Sequence, residues 1–171
     1  MYGAIDFYRA CKAQGIHPVI GCEVYLAPHS RFDRSYINGE WHTHLILLCE
    51  NMTGYRNLCY MVSQGFLDGF YGKPRIDYEL LEQYHEGLIA LSACLAGEIP
   101  RALRRGDFDG AKAIALWYRD LFGAENYYLE LQDHGLKEDT TVLPQLIKLS
   151  RETGIPMAAT NDAHYLRKED A

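Results

Sequence analysis

The chain has 171 residues, 48% of them apolar, and a formal net charge of −6. That is enough sequence for one domain with a full core, and the even spread of apolar residues excludes a disordered tract. The acidic balance argues against a surface that grips phosphates indiscriminately, and no apolar run or amino-terminal pattern suggests a membrane span or a signal peptide, so the expected location is the cytoplasm.

In chain order, Ile5 to Gln14 has helical spacing and Gly15 stops it. His17 to Leu26 (HPVIGCEVYL) reads as a buried strand. After a polar loop, Thr43 to Cys49 (THLILLC) is a second strand, and Thr53 is placed to cap the helix that follows. Gly69 to Asp77 (GFYGKPRID) holds too much Gly and Pro for anything but loop, with a short helix after it. Leu88 to Leu95 is the third strand. Asp107 to Phe122 is the clearest helix, with Phe108, Ala111, Ala115, Tyr118 and Phe122 on one face and Gly123 as its stop. Tyr127 to Gln132 is the fourth strand, Leu146 to Glu152 a helix whose start is blurred by Pro144, and Met157 to Thr160 the fifth strand.

This alternation predicts one α/β domain over residues 1–171, a parallel sheet covered by helices. Five strands are few for a closed barrel and would leave two bare edges. The five cysteines form no CxxC pair, which suits a reducing compartment. Cys11, Cys22, Cys49 and Cys59 read as packing.

Residues able to do chemistry sit near strand ends, where parallel α/β folds build active sites. Glu23 lies within the first strand, His44 opens the second, Cys94 ends the third, and Asp162 and His164 follow the fifth. In extended backbone Asp162 and His164 point to one side and can share a metal; oxygen beside nitrogen ligands suits Zn, Mn or Fe. The alternatives are ordinary: a cap or turn for Asp162-Ala163-His164, a salt-bridged edge for Glu23, a half-buried histidine for His44, a small core residue for Cys94. His42 would face the same side as His44, so spacing does not choose between them. Asp133-His134-Gly135 is either a turn or a substrate-facing loop, and Lys73 and Arg75 either meet a phosphate or are solvated loop charges.

Five stretches occur in order: IGCEVYLAP (Ile20 to Pro28), HLILL (His44 to Leu48), GLIALSACLAGEIP (Gly87 to Pro100), YLELQDHG (Tyr128 to Gly135) and ATNDAHYL (Ala159 to Leu166). Together, and with MYGAIDFY at the start, they resemble the PHP (polymerase and histidinol phosphatase) domain of bacterial DNA polymerase III alpha subunits. The resemblance implies an incomplete, distorted (β/α)7 barrel with about five of its seven strands present. It also implies up to three divalent metals (Zn, Mn or Fe in a complete site) at the carboxyl ends of the strands. Carried over position by position, it assigns ligands to Glu23, His44, Cys94, Asp162 and His164, and so favours His44 over His42. The family's H-x-H motif and its Asp-His pair are expected upstream of Met1, and the polymerase aspartates are absent.

The resemblance therefore implies a fragment of a replicative DNA polymerase. Its PHP site, when complete, would be a metal-dependent phosphoesterase or 3′–5′ proofreading exonuclease, and the fragment alone is expected to be inactive. DNA and other replisome subunits are the implied partners, with no membrane. A free-standing phosphatase on a small phosphomonoester and a non-catalytic scaffold are the alternatives.

Overall fold

The structure, a computed structural model, describes residues 1–34 and 41–170. Helix α1 (Ala4–Ala13) leads into β1 (Gly21–Leu26), and β2 (Thr43–Cys49) leads into α2 (Met52–Leu67). Then come β3 (Arg75–Ile76), α3 (Tyr78–Tyr84), β4 (Leu88–Leu91), α4 (Glu98–Arg104), α5 (Phe108–Phe122), β5 (Tyr127–Leu131), α6 (Asp139–Thr153) and β6 (Met157–Ala159). A short 3-10 turn, Lys168–Asp170, follows.

The six strands form one sheet in the order β3-β1-β2-β4-β5-β6. The sheet differs in two respects from the one expected of the sequence. Among the described residues there are six strands, because β3 lies inside the Gly- and Pro-rich stretch. A strand of two residues beside Pro74 has no periodicity to detect, and an edge position tolerates the proline. The sheet is also mixed: β1 pairs with β2 and β2 with β4 antiparallel, while β1–β3, β4–β5 and β5–β6 are parallel. No helix separates β1 from β2 among the described residues, so the right-handed crossover that enforces parallel pairing is missing there.

Smaller differences follow from local chemistry. The cap of α2 is Asn51, not Thr53; its side chain accepts from the amides of Thr53 and Gly54 at 2.9 and 3.1 Å. Helix α4 has no counterpart in the sequence reading, since Pro100 sits in its first turn, where a missing N–H costs nothing. Pro144 lies inside α6, which starts at Asp139 and so begins about two turns earlier than expected.

Register divides the sheet into two faces. Tyr25 opposes His44 and Val24 opposes Leu45. One face therefore carries Val24, Leu26, Leu45 and Leu47, buried with Leu58 and Met61 of α2. The other carries Glu23, Tyr25 and His44 and stays partly open. Burying large aliphatic side chains contributes about 1.5–3 kcal/mol each and fixes which face is which, because a slip of one residue would exchange them.

Beneath α4 lies a polar knot. Glu98 accepts from the hydroxyls of Tyr78 and Tyr118, each at 2.5 Å, tying α4 to α3 and α5. Burial pushes the Glu98 carboxyl up from its ordinary value near 4.5, against the pull of the two tyrosines. The fold thus favours the neutral acid. That contribution to stability is complete below about pH 4.5 and is lost as pH rises through the raised folded value. Glu98→Gln should accordingly raise the melting temperature at pH 7, each kcal/mol appearing as about 2–4 °C, and change little at pH 4. Melting curves of both proteins at the two pH values check this.

Candidate metal centre

The geometry of the centre starts at β2. His44 donates its backbone N–H to the Ala96 carbonyl at 3.1 Å and forms a parallel bridge with Gly97. The turn after β4 is thereby laid against the start of β2, and Cys94 lies in that turn beyond the end of the strand at Leu91. Ala93 adopts a φ of 63°, a conformation unfavourable for a residue with a Cβ, while fully packed against the core. Gly97 is needed at its position, because a Cβ there would stand 2.1 Å from the Ser92 carbonyl oxygen.

Three of the five expected ligands converge. His44 Nδ1 lies 3.2 Å from Glu23 Oε1 and 3.7 Å from Cys94 Sγ, and donor atoms of all three fall within 4.8 Å of one another. Among the described residues this is the one group of its kind. The side chains of His44 and Glu23 are 20% and 33% exposed, so the group is shielded but reachable. Cys94 and Glu23 beside it push His44 up to about 9, and the hydrogen bond from His44 holds Glu23 below the usual carboxylate range. A site that stabilises a proton so strongly offers the same negative charge to a cation. Carboxylate oxygen, imidazole nitrogen and thiolate sulfur together fit a borderline transition metal.

His42 differs from its neighbour despite stacking on it at 5.6 Å. Burial, then the charges of His44 and Arg101, push His42 down to about 4, and its Nδ1 has no hydrogen-bond partner. Tyr25 stands edge-on to both imidazoles, at 4.9 and 5.2 Å, and fixes their planes.

Asp162 and His164 stay outside the 4.8 Å group. The extended backbone expected for them is interrupted, since Asp162 has a φ of 45°, which an aspartate tolerates better than most residues. Even so His164 Nδ1 comes within 3.9 Å of Asp162 Oδ1 and 2.7 Å of the Asp162 carbonyl oxygen. A cavity of about 250 Å³ joins Asp162 to Cys94.

That cavity also carries residues the sequence reading passed over or left open. Glu130 of β5 is 5% exposed; its Oε1 accepts from Thr160 and Gln132 while Oε2 has no partner. An acid inside an apolar strand was the available signal, yet YYLEL reads as an ordinary strand. Asp133-His134-Gly135 is a turn, in which Gly135 has a φ of 72° and donates to Asp133, and His134 lines the cavity. Arg75 fits neither expected role. It is fully buried, and its guanidinium donates to the carbonyls of Gly69, Trp41, Arg31 and Asp33.

Gly97→Ala should cost about 1–3 kcal/mol by forcing the turn off Ser92 and should separate Cys94 from His44. Urea unfolding checks the first effect, and loss of any metal-induced rise in melting temperature checks the second.

Comparison with known proteins agrees with this architecture. The PHP domain family matches residues 1–134. The DNA polymerase III subunit alpha of Treponema pallidum is 51% identical over 172 aligned residues, covering 100% of this chain and 15% of that protein. The proteins of the same name from Borreliella burgdorferi and Thermus aquaticus are 47% and 44% identical, again over 100% of this chain but 15% and 14% of their own length. This chain thus spans about 15% of such relatives. Its mixed sheet and flanking helices accord with the barrel-like (β/α)7 architecture of PHP domains, which are metal-dependent. The chain belongs to the PHP domain family.

Proposed function

We propose that the chain is a section of a bacterial replicative DNA polymerase, and that its PHP centre hydrolyses the phosphodiester of a mismatched 3′ end. The observation that carries this reading is the convergence of Glu23, His44 and Cys94 on one end of the sheet. Alignment of the whole chain with proteins named DNA polymerase III subunit alpha supports it over a free-standing phosphatase.

Glu23, His44 and Cys94 are proposed to hold divalent metal, of Zn, Mn or Fe type, together with Asp162, which lines the cavity beside Cys94, and His164. Up to three ions are proposed for a complete centre. When bound, such a cation polarises a phosphate oxygen and lowers the pKa of water. The residues do the rest. His44 releases its proton to become a ligand, Glu23 and Cys94 supply compensating charge, and Tyr25 and His42 keep the His44 ring from turning. DNA and the other replisome subunits are reached through the polymerase, in the cytoplasm.

Elemental analysis tests the ligand assignment. Asp162→Ala combined with His164→Ala should lower the metal content, and His42→Ala should leave it unchanged. Equal loss from His42→Ala would show the wrong histidine had been chosen. In the full-length polymerase, His44→Ala should slow removal of mismatched primer ends by about 10–100-fold or more. A wild-type polymerase that binds no metal and leaves such ends intact would identify the domain as a scaffold.

A further inference from the structure

The chain is acidic overall, with a net charge of −6, so a polyanion must be met by particular cations and not by a general field. On the open face of the sheet two candidates stand next to the metal centre, Lys73 and Arg75. Their roles differ. Arg75 is fully buried, with its guanidinium occupied by backbone carbonyls. Lys73 is exposed, and its amine lies 5.3 Å from the centre of the Tyr25 ring. Among the described residues no carboxylate pairs with it.

The sheet fixes where that amine is relative to the centre. Strand β3 pairs with β1 in parallel, Tyr25 opposite Arg75. Lys73 precedes that strand, bridged to Tyr71, and it is the contact of its amine with the Tyr25 ring that places it beside the face carrying Glu23 and His44. Strand order puts β1, and with it Tyr25, between β3 and β2, so the Tyr25 ring stands between the Lys73 amine and His44. Tyr25 fills that interval, its ring also 5.2 Å from the His44 ring. One phosphate group is too small to touch both ends. A nucleic-acid strand is not, since each of its strands carries a charge about every 3.4 Å of helix axis.

We propose that Lys73 binds the phosphate neighbouring the scissile one, so that the site selects a polynucleotide strand over a mononucleotide. This rests on the phosphoesterase reading above. The Tyr25 ring holds the lysine stem toward the centre through a cation–π contact, and the amine supplies a point charge without sequence preference.

Calorimetric titration of the full chain, loaded with Mn, tests the proposal with two probes, a thymidine tetranucleotide and thymidine monophosphate, at several salt concentrations. Wild type should bind the tetranucleotide more tightly. Lys73→Gln should weaken it several-fold, leave the mononucleotide unchanged, and reduce the salt slope for the tetranucleotide by about 0.7, one single-strand phosphate contact. Lys73→Arg should restore all three. Equal weakening of both probes would make Lys73 a ligand of the scissile phosphate and overturn the proposal. So would an unchanged tetranucleotide affinity, or a wild type that does not distinguish the probes. Metal content measured on the same samples and on the full-length polymerase separates the two readings. A full-length polymerase that binds no metal, beside a chain whose tetranucleotide affinity still depends on Lys73, defeats the phosphoesterase reading and leaves Lys73 as a contact to a strand phosphate. A metal-loaded chain indifferent to Lys73 defeats only this proposal.

Discussion

The contact on which the centre depends is the backbone pairing of His44 with the turn from Cys94 to Gly97. It joins the first turn of one strand to the loop beyond another, and so brings an imidazole and a thiol from positions fifty residues apart to 3.7 Å. The turn can make this approach only because Gly97 lacks a Cβ and Ala93 accepts an unfavourable φ. Glu98 immediately follows and is gripped by two tyrosines, which keeps α4, and with it the turn, from drifting off β2. Arg101 adds a bond from α4 to the His42 carbonyl at 2.9 Å.

Strand direction matters as much as contact. In an all-parallel sheet the start of β2 would lie at the opposite end from the loops after β4 and β5, and His44 would be far from Cys94. Because β2 runs antiparallel to both β1 and β4, its amino end shares an edge with their carboxyl ends. The same reversal sets Tyr25 opposite His44 and so places an aromatic ring between the Glu23–His44–Cys94 group and Lys73. Electrostatics then follow from position. His44, between a carboxylate and a thiol, holds its proton tightly, while His42, two residues away, buried and among cations, gives its proton up.

Much of this was legible in the residues. The helix from Phe108 to Phe122 and the strand from Thr43 to Cys49 were found almost to the residue, because their periodicity is strong and their ends carry Asp, Gly or polar breaks. The order of the five stretches pointed to the PHP family, and matching residues 1–134 to that family agrees. Elements without a long-range pattern were lost: β3 is two residues long, and α4 begins with Glu-Ile-Pro. The parallel expectation failed because alternation along the chain reports which elements exist and not the direction in which each returns.

The sequence by itself determined the α/β class, the family, and which side chains were able to bind a metal, since these depend on residue type and local spacing. Only the tertiary structure decided that Glu23, His44 and Cys94 meet, while Asp162 and His164 stay outside that group and Asp162 lines a cavity with Cys94. Only it separated His42 from His44 by environment, and a buried Arg75 from an exposed Lys73. The physical reason is common to all of these. Proximity, burial and charge are set by strand direction and by contacts between residues far apart in the chain, and no local pattern encodes them.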